Sequence, residues 1–426
     1  MRRLIAGLAL LALLGHWLPA AAAPGVAARI DGAPLYDVSV DTMWRLALRT
    51  EPGVQRQAVR ETMIANRLLA RYARRQFGET ALTSGVRVAF PREAMLDDQL
   101  VAALRTVYSA PSAAPQSAQL RPPEAALEAI CGKPGKLILD ASLTGPQLDA
   151  AGGLVLLRYR VPDAPEASVT LADVYRRQNV QGRVAILARD AGFMQQQAVL
   201  VMEARQVLAW GAQRFGADAL GDLRDALADQ ADAHALMRMH GVGEEAHGDS
   251  DLIDSLARQV SKAEVRSYYL AHREQFVRIE RVYARHIRLA DEAQAIRIAA
   301  LLAGGADFAA AARAHSIAPD AARGGALGWI RHARTPGWLA QLAFHYGAGE
   351  ISPPVRTPAS AQVQAPWEIV LVERVRQGYQ RADSESVRYV ASRAVARAQA
   401  VRQLAALQQR LRGAARIVVP DAGGAS

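Results

Sequence analysis

The sequence holds a single cysteine, Cys131, among 426 residues. No disulfide can form within the chain, so in an oxidising compartment stability has to come from the core, and Cys131 is expected to be a free, buried thiol. It does not follow an apolar leader, which excludes a lipid-anchoring role. Lysine is almost missing: it occurs only at Lys133, Lys136 and Lys262, so 48 of the 51 basic residues are arginine. That bias reflects genome base composition rather than a choice of partner. Aromatic residues make up only 6%. The arginines are spread along helices, often beside Glu and Asp, and are not clustered with interleaved aromatics. Nucleic acid is therefore not an expected partner. The net charge of +10 still lets an exported protein favour acidic or membrane-proximal clients.

Beyond the first residues, no stretch is apolar and long enough to span a membrane. The opening "MRRLIAGLALLALLGHWLPAAAAPG" has a positive start at Arg2 and Arg3 and an apolar run from Leu4 to Leu14. The run falls short of the about 20 residues a spanning helix needs. Ala20-Ala21-Ala22 supplies a small-residue cleavage signal. Cutting after Ala22 is expected, because cutting after Ala23 would leave Pro24 at the new N-terminus. The mature chain is thus expected to be exported, periplasmic and without an integral membrane span. A retained anchor is the competing reading, against which the early His16 and the small-residue run argue.

What the chain does contain is long helical periodicity interrupted by short strands. "AARIDGAPLY" reads as two strands about an Asp31-Gly32 turn. Residues 54–77 form an amphipathic helix stopped by Gly78, with Val59, Met63, Ile64, Leu68 and Tyr72 on one face. Residues 80–175 are less regular: 109–123 reads as a linker, and "KLILDASL" and "LVLLRYRV" read as strands. Residues 176–275 are mostly helical. The loop "HGVGEEAHGDSD" (240–251) has two histidines and four acids but no metal-ligand spacing, so it reads as a solvated linker. "SKAE" at Ser261 is a capping box. "RIERVYARHIRLA" alternates as a strand, and Asp291 and Asp307 cap two helices after it. Thr335 and Pro336 open a further helix through "WLAQLAFHY", and "EISPPV" and "PWEIVLVERV" are closing strands. A last helix after Asp383 carries Val387, Val390, Ala394, Ala398, Val401, Leu404, Leu407 and Leu411, with Gly413 at its end. The strand "ARIVV" that follows could pair with residues 27–31.

Within the alternating strand sits His286. A core histidine with satisfied hydrogen bonds and a catalytic one are both open on the strand alone. The neighbouring motifs add a resemblance. "ARHI" (284–287), "GADFAAAARAHS" (305–316), "GGALGW" (324–329), "LAFHYGAGEISPPV" (342–355) and "WEIVLVERV" (367–375) occur in the order of a parvulin-type peptidyl-prolyl isomerase domain. Residues 276–380 resemble that family. "VAARIDGAPL" and "MIANRLLARYARRQFG" resemble the start of SurA- and PrsA-like exported foldases, in which helices from both chain ends build a chaperone body.

The resemblance implies an α+β fold. It has a mainly helical, SurA-like body formed by residues 23–79, 176–275 and 381–426. A parvulin domain, a four-stranded antiparallel-type sheet with flanking helices, completes it; residues 80–175 are an insertion that the resemblance does not explain. It implies binding of unfolded or extended proline-containing polypeptides, isomerisation of X-Pro bonds, and no cofactor. The family pairs a histidine on the first strand with one on the last, near a Cys or Asp, and holds the proline ring with Leu, Met and Phe. Carried over, His286 matches the first histidine and Glu368 stands at the second. Leu327 matches the pocket leucine. Thr335 stands where Met or Leu is usual, and Leu339 where Phe is usual, with Trp338 beside it. Ile317 or Ala318 occupies the Cys or Asp position, and Asp320 is the one acid able to reach in. A catalytically inert chaperone or secretion accessory with the same fold is the alternative to an active isomerase.

Overall fold

The computed structural model describes residues 25–83, 90–111, 116–132, 142–161, 165–242, 250–331, 337–358 and 365–420. The leader expected over 1–22, most of the strand expected at 136–143, most of the 240–251 loop and Thr335 lie outside these residues. The fold is α+β and mostly helical. The described strands are β1 (Val26–Ile30), β2 (Ala33–Tyr36), β3 (Gln116–Gln119), β4 (Val155–Arg160), β5 (Ala167–Thr170), β6 (Val277–Leu289), β7 (Ala326–Arg331), β8 (Val355–Arg356), β9 (Trp367–Tyr379) and β10 (Ile417–Val418). They make two three-stranded sheets, β10-β1-β2 and β3-β4-β5, and a four-stranded sheet ordered β7-β6-β9-β8. Every pairing in the four-stranded sheet is antiparallel.

The chain divides into two compact units, Met1–Leu252 with Ala400–Ser426, and Ile253–Gln399. In the first, Asp31 and Gly32 both take positive φ (52° and 86°), the type I′ geometry that matches strand twist. β1 pairs with β10 on its other side, Arg29 opposite Val418 and Ile30 opposite Ile417. The Arg56–Thr83 helix lays Ile64 and Leu68 against Ile30, Leu35 and Val40. It also carries Arg67, whose side chain is 7% exposed. The Arg67 guanidinium meets Asp222 at 2.8 Å and Asp229 at 2.9 Å and donates to the Pro34 carbonyl. Asp222 in turn accepts from the Ser39 hydroxyl and the Tyr36 amide. Arg74 joins Asp229 to Asp232, and Arg92 closes on Asp232 with two bonds. Heptad spacing of Arg67 with Arg74, and of Asp222 with Asp229, sets these groups on facing stripes of two helices.

Several expectations need correcting. The 80–175 stretch contains a long helix, Arg92–Tyr108, which buries Leu96, Leu100 and Leu104. Part of the expected linker is the edge strand β3, whose four residues are all exposed, so no apolar alternation betrays it. Cys131 is half-buried, and burial pushes its thiol pKa up. In the Glu385–Ala414 helix, Val390 and Val401 face solvent while Ala391, Ala396 and Ala400 are buried. Small side chains let neighbours approach closely, so the buried stripe runs through alanines. Gly413 lies inside that helix rather than after it.

Near the start of the second unit, after the Asp251–Gln259 helix, comes the Lys262–Ala271 helix, capped by Ser261 and Glu264 as a reciprocal box. Asp291 and Asp307 cap the Glu292–Ala303 and Phe308–His315 helices. Those two helices cover one face of the four-stranded sheet through Ile298, Leu302, Phe308 and Ala312, packed on Ile287, Leu289 and Ile369. The helix expected to start at Thr335 and Pro336 begins at Trp338, with Gly337 as its N-cap, and ends at Ala343.

Candidate active site

Strand alternation divides β6. Ile287 and Leu289 point into the helix-covered core, whereas Val282, Ala284, His286 and Arg288 fall on the opposite face. On β9 the partners of Ala284, His286 and Arg288 are Val372, Val370 and Glu368. That face is therefore apolar over its first rows and charged over its last. Its apolar part is buried by Leu327 and Ile330 of β7, by Leu339, Leu342 and Ala343 of the short helix, and by Phe344 and Tyr346 after it.

His286 is 4% exposed and has carboxylates on both sides. Its Nδ1 lies 2.8 Å from Glu368 Oε2, on the diagonal between neighbouring strands. Its Nε2 lies 3.0 and 3.1 Å from the two oxygens of Asp320. A neutral imidazole keeps one nitrogen as an acceptor, and an ionised carboxylate can only accept. Two carboxylates on one ring thus call for the imidazolium. Burial by itself would push the His286 pKa down, but the hydrogen bond and charge of Glu368, and then of Asp320, outweigh it and raise the pKa. Glu368 is fully buried, and its other oxygen accepts from Arg288 Nε at 2.6 Å. Two positive and two negative groups balance in the cluster.

Backbone geometry brings Asp320 there. The Ile317 amide donates to the Arg288 carbonyl, and the Arg288 amide donates to Ser316 Oγ, which stitches the loop to the edge of β6. The His286 amide donates to the Gly325 carbonyl at 2.9 Å. Gly324 and Gly325 have φ of 69° and 67°. A side chain at Gly325 would overlap the His286 carbonyl oxygen, and one at Gly324 would come within 2.8 Å of Ala309 Cβ. Only glycine fits this turn.

The structure thus brings His286, Glu368 and Asp320 together, with Leu327 and Leu339 half-buried on the adjoining apolar rows. Trp338 is half-buried one residue from Leu339, and Thr335 lies outside the described residues. Ile317 is 57% exposed and Ala318 is buried; neither carries a carboxyl group, and the acid on the ring is Asp320. Arg288, Phe344 and Tyr346 went unnoticed in the sequence. Arg288 was detectable as the next same-face position after His286, and the two aromatics as rings close to a site that lacks one at Leu339. Among the described residues, no cluster of His, Cys, Asp or Glu could hold a metal. No helix among them is long and apolar enough to cross a membrane.

Several known proteins are similar to this chain. Residues 260–388 match the family model described as the PPIC-type PPIase domain. The chain is similar to a foldase protein PrsA of Caldanaerobacter subterraneus subsp. tengcongensis, 40% identical over 25% of this chain and 36% of the relative. It is similar to a chaperone SurA of Thiobacillus denitrificans, 43% identical over 15% of each chain. A crystal structure of a PpiC-type peptidyl-prolyl cis-trans isomerase domain aligns at 32% identity, covering 24% of this chain and 97% of that one, with a TM-score of 0.20. The chain spans about a third of the PrsA relative and less of the SurA relative.

Proposed function

We propose that the chain is an exported foldase: a peptidyl-prolyl cis-trans isomerase that also holds unfolded or extended proline-containing polypeptides. Its isomerase domain covers residues 276–380, its leader covers 1–22 and is removed near Ala22, and it works in the periplasm. The observation that carries the reading is His286, buried between Glu368 and Asp320 beside an apolar patch, inside a region similar to the PPIC-type family. Rotation about a prolyl bond meets a barrier of about 20 kcal/mol and needs no nucleophile. It needs a grip on the ring and a field that favours the twisted amide over the planar one. In this reading Leu327, Leu339 and Trp338, with Thr335, hold the ring, and the charges around His286 and Glu368 supply a fixed field. The imidazolium has no lone pair to attack with, which fits a reaction that makes no covalent bond.

A second reading rests on the same hydrogen bonds. Both ring nitrogens of His286 are committed to carboxylates, and the usual ring-gripping Phe is Leu339. A domain in that state binds polypeptide without turning the bond. A chromogenic proline tetrapeptide assay separates the two. Acceleration lost in His286→Ala supports the isomerase; a rate equal to the uncatalysed one removes it. Suppressed aggregation of an unfolded client by such an inactive protein would establish the chaperone alone.

A further inference from the structure

The helix-covered face of the four-stranded sheet is covered only in part. Over the rows before Arg285 it is open, and it carries a lattice of arginine and aromatic side chains. Arg331, Arg281 and Arg376 stand directly opposite one another across β7, β6 and β9. One step along, Trp329, Tyr283 and Arg374 form a second row on the same face. Three like charges in cross-strand register repel one another. No carboxylate among the described residues pairs with Arg281, Arg331, Arg374 or Arg376, whereas the adjacent Arg285 has Glu373 at 2.6 Å. The Nε of Arg281 is buried without a hydrogen-bond partner. The aromatics hold the guanidinium groups in place: Arg281 and Arg374 lie 5.1 and 5.3 Å from the Trp329 ring centre, and Arg374 lies 4.5 Å from that of Tyr283. Trp329 is 40% exposed and meets Tyr283 edge-on at 5.4 Å. Glu280, next to Arg281 in sequence, lies in the β6 bulge with its carboxylate against Gly378.

We propose that this face is a docking surface for an acidic polypeptide segment, distinct from the His286 face on the other side of the sheet. Bidentate guanidinium groups held on aromatic planes are suited to carboxylates. The shape selects a chain over a membrane surface. The Glu292–Ala303 and Phe308–His315 helices stand on the neighbouring half of the same face, and a helix about 10 Å thick keeps a flat bilayer off the sheet floor. An extended strand can lie at the foot of that wall and set its acidic side chains on the arginine rows.

The test uses the full chain and a fluorescein-labelled oligoglutamate, read by polarisation against an oligoglutamine of equal length and against phosphatidylglycerol vesicles. Oligoglutamate should bind, weaken as salt rises, and lose roughly tenfold or more in affinity in Arg281→Gln/Arg374→Gln/Arg376→Gln, the loss expected from three partly exposed charge contacts. Trp329→Ala should lose less. If the triple variant fails to fold, the exposed Arg376→Glu alone should weaken binding. Equal binding of oligoglutamine, unchanged affinity in the variants, or binding to vesicles without binding to oligoglutamate would each overturn the proposal, the last in favour of a lipid surface.

Discussion

In the first unit Arg67 lies between Asp222 and Asp229; in the second His286 lies between Glu368 and Asp320. Both are cations closed off from water and held by two carboxylates. Arg67 cannot lose its proton at any ordinary pH. Its network is a fixed joint that ties the β1-β2 hairpin, through Pro34 and Tyr36, and the Asp37–Ala47 helix, through Ser39, to the Arg56–Thr83 and Ala217–Met239 helices. His286 can lose its proton, at a pKa that Glu368 and Asp320 raise above the ordinary imidazole value, so its cluster can change charge. An arginine among acids serves permanence, whereas a histidine among acids keeps a response to pH. That second arrangement sits where the sheet face turns from apolar to charged.

The contrast can be broken most forcefully at Arg67. Arg67→Ala leaves Asp222 buried without its cation and Asp229 with Arg74 alone, and chemical denaturation should show a loss of about 3–5 kcal/mol; a loss under about 1 kcal/mol would show that the joint is not structural. Gly325→Ala forces a side chain against the His286 carbonyl at positive φ and should destabilise by about 1–3 kcal/mol. It should also displace Asp320, so tetrapeptide isomerisation should fall even with His286 intact, and an unchanged rate would remove Asp320 from the site.

The pH response sharpens the comparison further. The folded-state pKa of His286 is raised above its unfolded value of about 6.5. The stabilisation is therefore fully present below about pH 6.5 and fades as pH rises through the folded pKa, because the folded state holds the proton longer. Denaturation midpoints across this window should fall for the native chain and flatten in His286→Gln. Arg67→Met should leave that slope in place, and a slope that survives in His286→Gln would assign it to another group. The smallest effect is expected at the Arg158–Glu166 pair, 3.7 Å apart with side chains about half exposed. Arg158→Ala should change stability by no more than about 0.5 kcal/mol, and a larger loss would mean that exposed and buried pairs here are not so different.

The elements around His286 could be read from the chain because they are local. Asp291, Asp307 and the Ser261 box cap helices within three residues of themselves, and the alternation of "VYARHIRL" marks a strand whatever lies beside it. The Arg92–Tyr108 helix was hidden by a weak periodicity, and the C-terminal stripe by alanines that pass for spacers. Its valines suggested a face at Val390 and Val401 that lies in solvent. At the site, positions could be matched but contacts could not: Asp320 stood out only as an acid in a shortened loop, and Arg288 not at all.

By itself, then, the sequence determined a mostly helical α+β chain, the opening strand with His286 on it, and the glycine pair that its neighbour requires. Each follows from forces acting over a few residues. The tertiary structure decided the rest. It set Glu368, 82 positions away in sequence, 2.8 Å from one ring nitrogen and drew Asp320 to the other. It gathered arginines that have no carboxylate partner among the described residues from three strands into one row. Register, strand order and burial create those neighbours, and no property of a single segment encodes which charge will face which.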